Sequence, residues 1–372
     1  ATGVFCLRKI YFNFVKPGMT VGYPVYNSRG ELLINGGIVL TRRVIEKLSQ
    51  HGVPALYIED DLFKDVEIKD VLDLRTRVEA VNLVRSVFSR NYAPKISSDD
   101  TDSFKGVVSK MMRQLLKNRA IMVDLVDIRC LDDYLFSHCV NVCVLSLVTA
   151  IHLGYDETTL SILGMGAILH DMGKTMIPKD ILDKPGKLTD EEYEIVKMHP
   201  LHGYELLRNS KPPVNNLSAL LSLQHHERFN GEGYPAGLSK EEIHNLSQIV
   251  GMADMFDAMT SDRVYRRGYL PGEVWEMLAA GGDYIFKYEL IQAFLYNVAP
   301  YSSGSVVRLG SNEIGIVIET RKGLPLHPRL KIISDSNGIF LKKPIFIELW
   351  ERPELSIKKV FSCEEVDELK LL

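Results

Sequence analysis

The sequence predicts a mainly α-helical protein, in which a large helical domain follows a small α+β module and precedes a short β-rich appendage. Three observations predict it. Apolar residues recur at the helical period from Phe104 to about Val298, β-like runs broken by turn residues precede that span, and short apolar runs separated by Gly, Asn, Asp and Pro follow Pro300.

Residues 1–100 form the first part. LLINGGIVL and ALYIED read as strands, and TRRVIEKLSQHG reads as a helix that starts at Thr41 and stops at Gly52. VLDLRTRVEAVNLVRSVFSR reads as a connecting helix, and NYAPKISSDDTD, at 91–102, as a linker because of its Pro, Ser and Asp density. Residues 101–298 form the helical domain. Thr189 with Glu192 and Ser239 with Glu242 fit the capping box, in which side chains satisfy the orphan amides of a helix start. VNVCVLSLVTAI at 140–151 is interrupted by Asn, Ser and Thr and reads as part of a buried helix over 137–153. Residues 299–372 form the appendage, with SVVRLG, IGIVIET, RLKIIS and IFIELW as its strands.

Composition narrows the function classes. A chain of 372 residues can bury two or three cores, and 46% hydrophobic with 25% charged residues excludes disordered and fibrous classes. No apolar run approaches the roughly 20 residues that cross a bilayer, so no membrane insertion is expected. The opening ATGVFCLRKI lacks the order of a signal peptide. The net charge of −4 argues against a nucleic-acid polymer as partner, while a local cationic pocket for a small phosphate-bearing ligand stays compatible with it. Five cysteines form no CxxC pair, and Cys139 and Cys143, one helical turn apart among apolar neighbours, read as packing residues. This usage fits a reducing cytoplasm, the expected location.

Chemistry concentrates in the helical domain, where five of the ten histidines lie near carboxylates: His138, His170 beside Asp171, His199, and the pair His225 and His226, with Asp254 following in GMADMFDAMT. Imidazole with carboxylate suits Mn, Fe, Ni or Zn, whereas an oxygen-only set suits Mg or Ca. Adjacent helical side chains diverge by about 100°, so His225 and His226 face two ions more easily than one, and the carboxylate of Asp171 can bridge. Alone, His138 would be an ordinary cap-region residue and His199 a helix end before Pro200. Asp254 is more telling, because a carboxylate in the apolar run IVGMADMF needs a metal or a cation, and Asp257 shares its face.

The ordered motifs HDMGK at 170–174, IP at 177–178, HP at 199–200, HHERFNGEGYP at 225–235 and ADMFDAMTSDRVYR at 253–266 closely resemble the HD-GYP family. These are bacterial cyclic di-GMP phosphodiesterases within the HD metal-dependent phosphohydrolases. The resemblance spans roughly residues 135–270. It implies that His138, His170, Asp171, His199, His225, His226 and Asp254 ligate two transition metals, iron or manganese, with Asp171 bridging. It further implies that Lys174 reaches a phosphate, and that Gly233, Tyr234 and Pro235 form the loop beside the site associated with partner contacts, a diguanylate cyclase or another signalling protein. Arg263 and Arg266 match cationic positions suited to substrate phosphates, and their i, i+3 spacing puts both on one helical face. Some members use a glutamate one turn before the first histidine to hold a third metal. Tyr134 stands there in this chain, beside Asp133, so two ions are expected.

The implied reaction is metal-activated hydroxide attack on phosphorus, taking cyclic di-GMP to pGpG and in a further step to GMP. Lys174 would add electrostatic stabilisation, and Asp257 would orient a ligand or water from behind the site. Two other readings stand beside it: an HD-type hydrolase of another cyclic dinucleotide or nucleotide, and a silent module that binds a dinucleotide or docks on a cyclase. For the amino-terminal module, sensing, assembly of a homodimer and simple support are all open.

Overall fold

The computed structural model describes residues 7–26, 32–66 save 52 and 54, 71–90, 96–123, 134–261 save 183 and 185, and 268–369 save 363, 364, 367 and 368. It divides into two compact units, one made of 1–70, 121–133 and 298–372, the other of 71–120 and 134–297.

The first unit opens with β1 (Leu7–Tyr11), β2 (Val25–Tyr26), β3 (Leu32–Ile34), α1 (Arg42–Gln50) and β4 (Ala55–Glu59). β1 pairs antiparallel with β4, and β2 with β3. The Thr41 side chain accepts from the Val44 amide and starts α1, which buries Leu48 against Ile10, Val21, Leu40 and Leu56. The unit continues with β5 (Val306–Leu309), β6 (Ile314–Glu319), β7 (Arg329–Ser334), β8 (Phe340–Glu348) and β9 (Ile357–Val360), an antiparallel sheet in the order β8-β7-β6-β5-β9. One cluster joins Val306, Ile316 and Ile333 to Phe63 and Val66, and another joins Val307, Val317, Leu330 and Ile332 to Leu349. Pro344 lies inside β8, where its missing N–H is tolerated because β8 is an edge strand whose register shifts nearby, between Ile332 and Ser334 of its neighbour. β9, IKKV, is absent from the strands read in the sequence; two lysines in four residues hide its alternation.

The second unit holds α2 (Leu74–Phe88), α3 (Ser98–Lys117), α4 (Tyr134–His152), α5 (Glu157–Ile168), α6 (Lys179–Leu182), α7 (Asp190–Val196), α8 (His199–Arg208), α9 (Asn216–Gln224), α10 (Asn245–Thr260), α11 (Pro271–Ala280) and α12 (Tyr288–Leu295). Mainly helical architecture with a C-terminal antiparallel sheet and a small N-terminal module is thus what the chain adopts. Three details differ from the sequence reading. Residues 98–102, read as linker, are the first turn of α3: Ser97 and Asp100 form a capping box, and Arg90 donates two 2.7 Å bonds to Asp100. α2, read as a connector, belongs to the helical unit, and the first and last segments of the chain share a unit. α4 does reach spanning length, with a mean hydropathy of 1.7 over Leu135–His152, but 78% of that window is buried. The capping box at Thr189 forms, while at Ser239 the Glu242 carboxylate accepts from both the Ser239 amide and hydroxyl.

α4 and α10 pack side by side as the unit's central helices. Both are apolar on nearly every face, which is the pattern of a helix surrounded by protein. Their polar exceptions are therefore conspicuous: His138 and Asn141 one turn apart on α4, Asp254 and Asp257 one turn apart on α10, all buried.

Candidate metal centre

Those four residues meet. The His138 Nδ1 lies 2.7 Å from Asp257 Oδ2, Asn141 Nδ2 donates to Asp257 Oδ1 at 2.8 Å, and His138 Nε2 lies 3.0 Å from Asp254 Oδ1. Asp257 thus turns the ring of His138 so that Nε2 points inward. Asp257 acts through His138, at the back of the site.

Three further histidines are aimed by a common device. His170, His199 and His225 each follow the end of a helix (α5, α7 and α9), and each places Nδ1 against the carbonyl three residues earlier: Ala167 at 2.8 Å, Val196 at 2.7 Å and Ser222 at 2.7 Å. A carbonyl only accepts, so each Nδ1 carries the proton and each Nε2 presents a lone pair. Burial lowers the pKa of all three, His199 to about 4 and His225 well below its ordinary value, so they are neutral at pH 7. His226 is also held neutral by burial and turns Nδ1 to 3.6 Å from Asp254 Oδ2. His138 differs. Burial opposes its charge, but hydrogen bonds with Asp254 and Asp257 push it up to about 10.

Asp171, fully buried, sits at the centre. Its Oδ1 lies 3.4 Å from His199 Nε2 and 4.0 Å from His225 Nε2, and its Oδ2 lies 3.5 Å from His170 Nε2 and 3.6 Å from His138 Nε2. Lys174 donates to Oδ2 at 2.6 Å. The 3-10 turn Met172–Met176 can place these groups beside α8 because residue 173 is glycine: a Cβ there would collide with the His199 carbonyl oxygen and the Gly203 amide.

This donor set fits divalent metals. Bonds of roughly 2.1 Å from one ion can join donors up to about 4.2 Å apart, and the separations above lie within that reach. His170 Nε2 and Asp171 Oδ1 are buried without a hydrogen-bond partner among the described residues. The His199 and His225 Nε2 atoms face each other at 3.3 Å, lone pair to lone pair, an arrangement a shared cation turns from repulsive to attractive. The potential ligands fall into two groups, His138, His170 and Asp171, and His199, His225 and His226.

The loop that follows is fixed by a residue the sequence reading passed over. The Glu227 carboxylate, 1% exposed, accepts from the Ala236 amide at 2.8 Å and the Leu238 amide at 2.9 Å, tying the loop back onto the histidine pair. Gly233 passes so close to the Glu227 and Arg228 backbone that a Cβ could not fit. Tyr234 stacks on His226 at 4.6 Å, and its amide donates to the His226 carbonyl. Glu227 adjoins His226 in HHERFNGEGYP, and Asn141 lies one turn after His138; an acid or amide so placed was the available signal. Of the other expected site residues, Arg263 and Arg266 lie outside the described residues, as do Asp133 and the side chain of Tyr134. Cys139 and Cys143 are buried, and burial raises both thiols.

A helical bundle that converges histidines and aspartates from separate helices defines the class, and residues 112–285 match the family model of the HD domain. Residues 306–369 match the KOW domain associated with the HD domain. By its ordered motifs and its relatives, the HD-domain region resembles the HD-GYP family. The chain is 35% identical over 233 residues to cyclic di-GMP phosphodiesterase PA4108 of Pseudomonas aeruginosa, covering 63% of this chain and 56% of that protein. It is 47% identical over 133 residues to the cyclic di-GMP phosphodiesterase response regulator RpfG of Xanthomonas campestris, covering 36% and 34%. A cyclic di-GMP phosphodiesterase of Thermotoga maritima is 41% identical over 143 residues, covering 38% and 39%. The chain thus spans from about a third to just over half of these relatives' length.

Proposed function

We propose that this chain is a metal-dependent phosphodiesterase that hydrolyses cyclic di-GMP to pGpG and, more slowly, to GMP. The observation that supports it most is Asp171, whose two oxygens face different histidine sets, as a carboxylate shared by two ions requires. In this reading His138, His170, His199, His225, His226, Asp171 and Asp254 hold two ions, iron or manganese. Bound there, such ions lower the pKa of a water toward neutrality and neutralise charge growing on phosphate oxygens.

The chain's own groups do the rest. Asp257 keeps the His138 Nδ1 protonated and its Nε2 directed inward. Lys174, paired with Asp171 yet with 24% of its side chain exposed, offers its remaining donors to a substrate phosphate. Arg263 and Arg266 would add two forks for the same diester. The loop carrying Gly233, Tyr234 and Pro235 borders the site and is the surface a diguanylate cyclase or other signalling protein would meet, in the cytoplasm.

A second reading keeps the site and changes one base. Vibrio cholerae proteins named 3'3'-cGAMP-specific phosphodiesterase 2 and 3 are 33% and 35% identical to this chain over 142 and 133 residues. Iron-loaded and manganese-loaded protein should be assayed on cyclic di-GMP, 3'3'-cGAMP and cyclic di-AMP, with products separated chromatographically and metal measured on the same samples. Two or more ions per chain and preferential loss of cyclic di-GMP are expected. One ion or fewer sinks the shared-carboxylate reading; preference for 3'3'-cGAMP selects the second substrate; no turnover of any leaves a binding module.

A further inference from the structure

The wall of the site beyond His226 includes aromatic rings and the ammonium of Lys197. Tyr234 stacks on His226 with an interplanar angle of 26°. The Lys197 ammonium, at the end of α7, lies 5.9 Å from the Tyr234 ring and 4.9 Å from the Tyr193 ring. Tyr193 is 46% exposed, so much of this large side chain is open to solvent, and the ammonium lies over its ring. Lys197 donates to Glu194 at 2.6 Å, which uses one of three donors. Its position is tied to the metal centre, because Lys197 lies between Val196, whose carbonyl aims His199, and His199 itself.

An open ring accepts any base by stacking and does not choose among them. A donor-only ammonium on the same side of the ring as the base does choose. Guanine presents O6 and N7, both acceptors, along one edge, whereas adenine presents N7 with an N6 amino donor that an ammonium repels. We infer that Tyr193 and Lys197 form a guanine subsite, Tyr193 stacking the base and Lys197 reading O6 and N7, with Tyr234 as the partition between base and metals. This rests on the phosphodiesterase reading for its location, and it makes Lys197 the specificity-determining residue.

The test is calorimetric binding of GMP and AMP to the metal-loaded full chain, which needs no turnover. GMP should bind about fivefold or more tighter than AMP, as a charge-assisted bond to the base predicts. Lys197→Met should bring that ratio close to one, and Lys197→Arg should restore much of it. Tyr193→Leu should weaken both nucleotides by roughly tenfold, while Tyr193→Phe should not, because stacking needs the ring and not the hydroxyl. Equal binding of GMP and AMP to the unaltered protein overturns the inference, as does an unchanged ratio in Lys197→Met. So does weakening of inorganic phosphate binding in Tyr193→Leu to the same degree, which would indicate general damage. Retained preference for GMP without turnover of cyclic di-GMP would sink the proposed reaction and leave the guanine subsite standing.

Discussion

Each unit buries charged side chains, and Lys331 in one and the metal centre in the other are held differently. In the sheet of the first unit, Lys331 is 4% exposed and gives its ammonium to the Leu62 carbonyl at 2.9 Å and to Asp65 at 2.7 Å. The chain itself supplies a carbonyl and a carboxylate for it. At the metal centre of the helical unit, histidine and aspartate lone pairs face one another at 3.3–4.0 Å, and His170 Nε2 and Asp171 Oδ1 have no hydrogen-bond partner among the described residues. A buried charge that serves the fold finds its counterpart within the chain, while a site for a ligand keeps part of its bonding capacity in reserve.

Breaking that reserve should have the largest effect. Asp171→Ala removes the group that both histidine sets face, so metal content should fall below one ion per chain and turnover by roughly a thousandfold or more. Elemental analysis and a cyclic di-GMP assay on one preparation check both, and full activity would reject the shared-carboxylate role. Asp257→Asn leaves every ligand in place but loosens the aim of His138. Metal affinity, read by competition with a chelator, should drop about ten- to a hundredfold, as for other groups behind a metal ligand.

Smaller losses are expected where the chain partners itself. Glu227→Gln puts an amide donor opposite one of two loop amides and should cost about 1 to 3 kcal/mol locally, seen as faster proteolysis between 231 and 238 with metal content kept. Lys331→Met should destabilise the first unit by about 1 to 2 kcal/mol in urea unfolding without altering metal binding; altered binding would undo the contrast between the units. The smallest effect should belong to Asp100→Ala, about 1 kcal/mol from lost capping of α3. The hydrogen bond from Arg90 holds the Asp100 carboxyl below its ordinary value. Its contribution is therefore complete above the unfolded value of about 3.9 and is lost as pH falls through the lower folded value, so variant and parent should converge in stability toward acid pH.

The contrast also explains what was readable in the sequence. A carboxylate is unusual in an apolar helix, so Asp254 stands out by type and setting, and the pairs His170 with Asp171 and His225 with His226 by their grouping, whereas His138 and His199 are reached only through the resemblance of the ordered motifs. Asp257 is read as orienting a ligand or water because it shares the face of Asp254, but its contact with His138 spans 119 residues, and no local pattern encodes that partner. Glu227 looks like an ordinary surface acid until the loop amides at 236 and 238 fold back onto it. The helical period located the large unit, but Ser97 and Asp100 were masked because the residues that cap helices also fill linkers. The placement of α2 in the helical unit is a property of packing, not of its own sequence.

The three histidines that borrow carbonyls from helix ends carry a consequence for how the chain can vary. Their aim is indexed to the last turn of α5, α7 and α9 and not to the segments between those helices. Connections such as 183–189 and 209–214 can therefore lengthen or shorten without turning a ligand, so long as each histidine keeps its distance from its helix end. One residue inserted between Ala167 and His170, or between Ser222 and His225, would do the reverse, rotating a ring by about 100° and disarming the site while the bundle still folds. Tolerance to insertion should thus switch from permissive to prohibitive within a few residues along the chain.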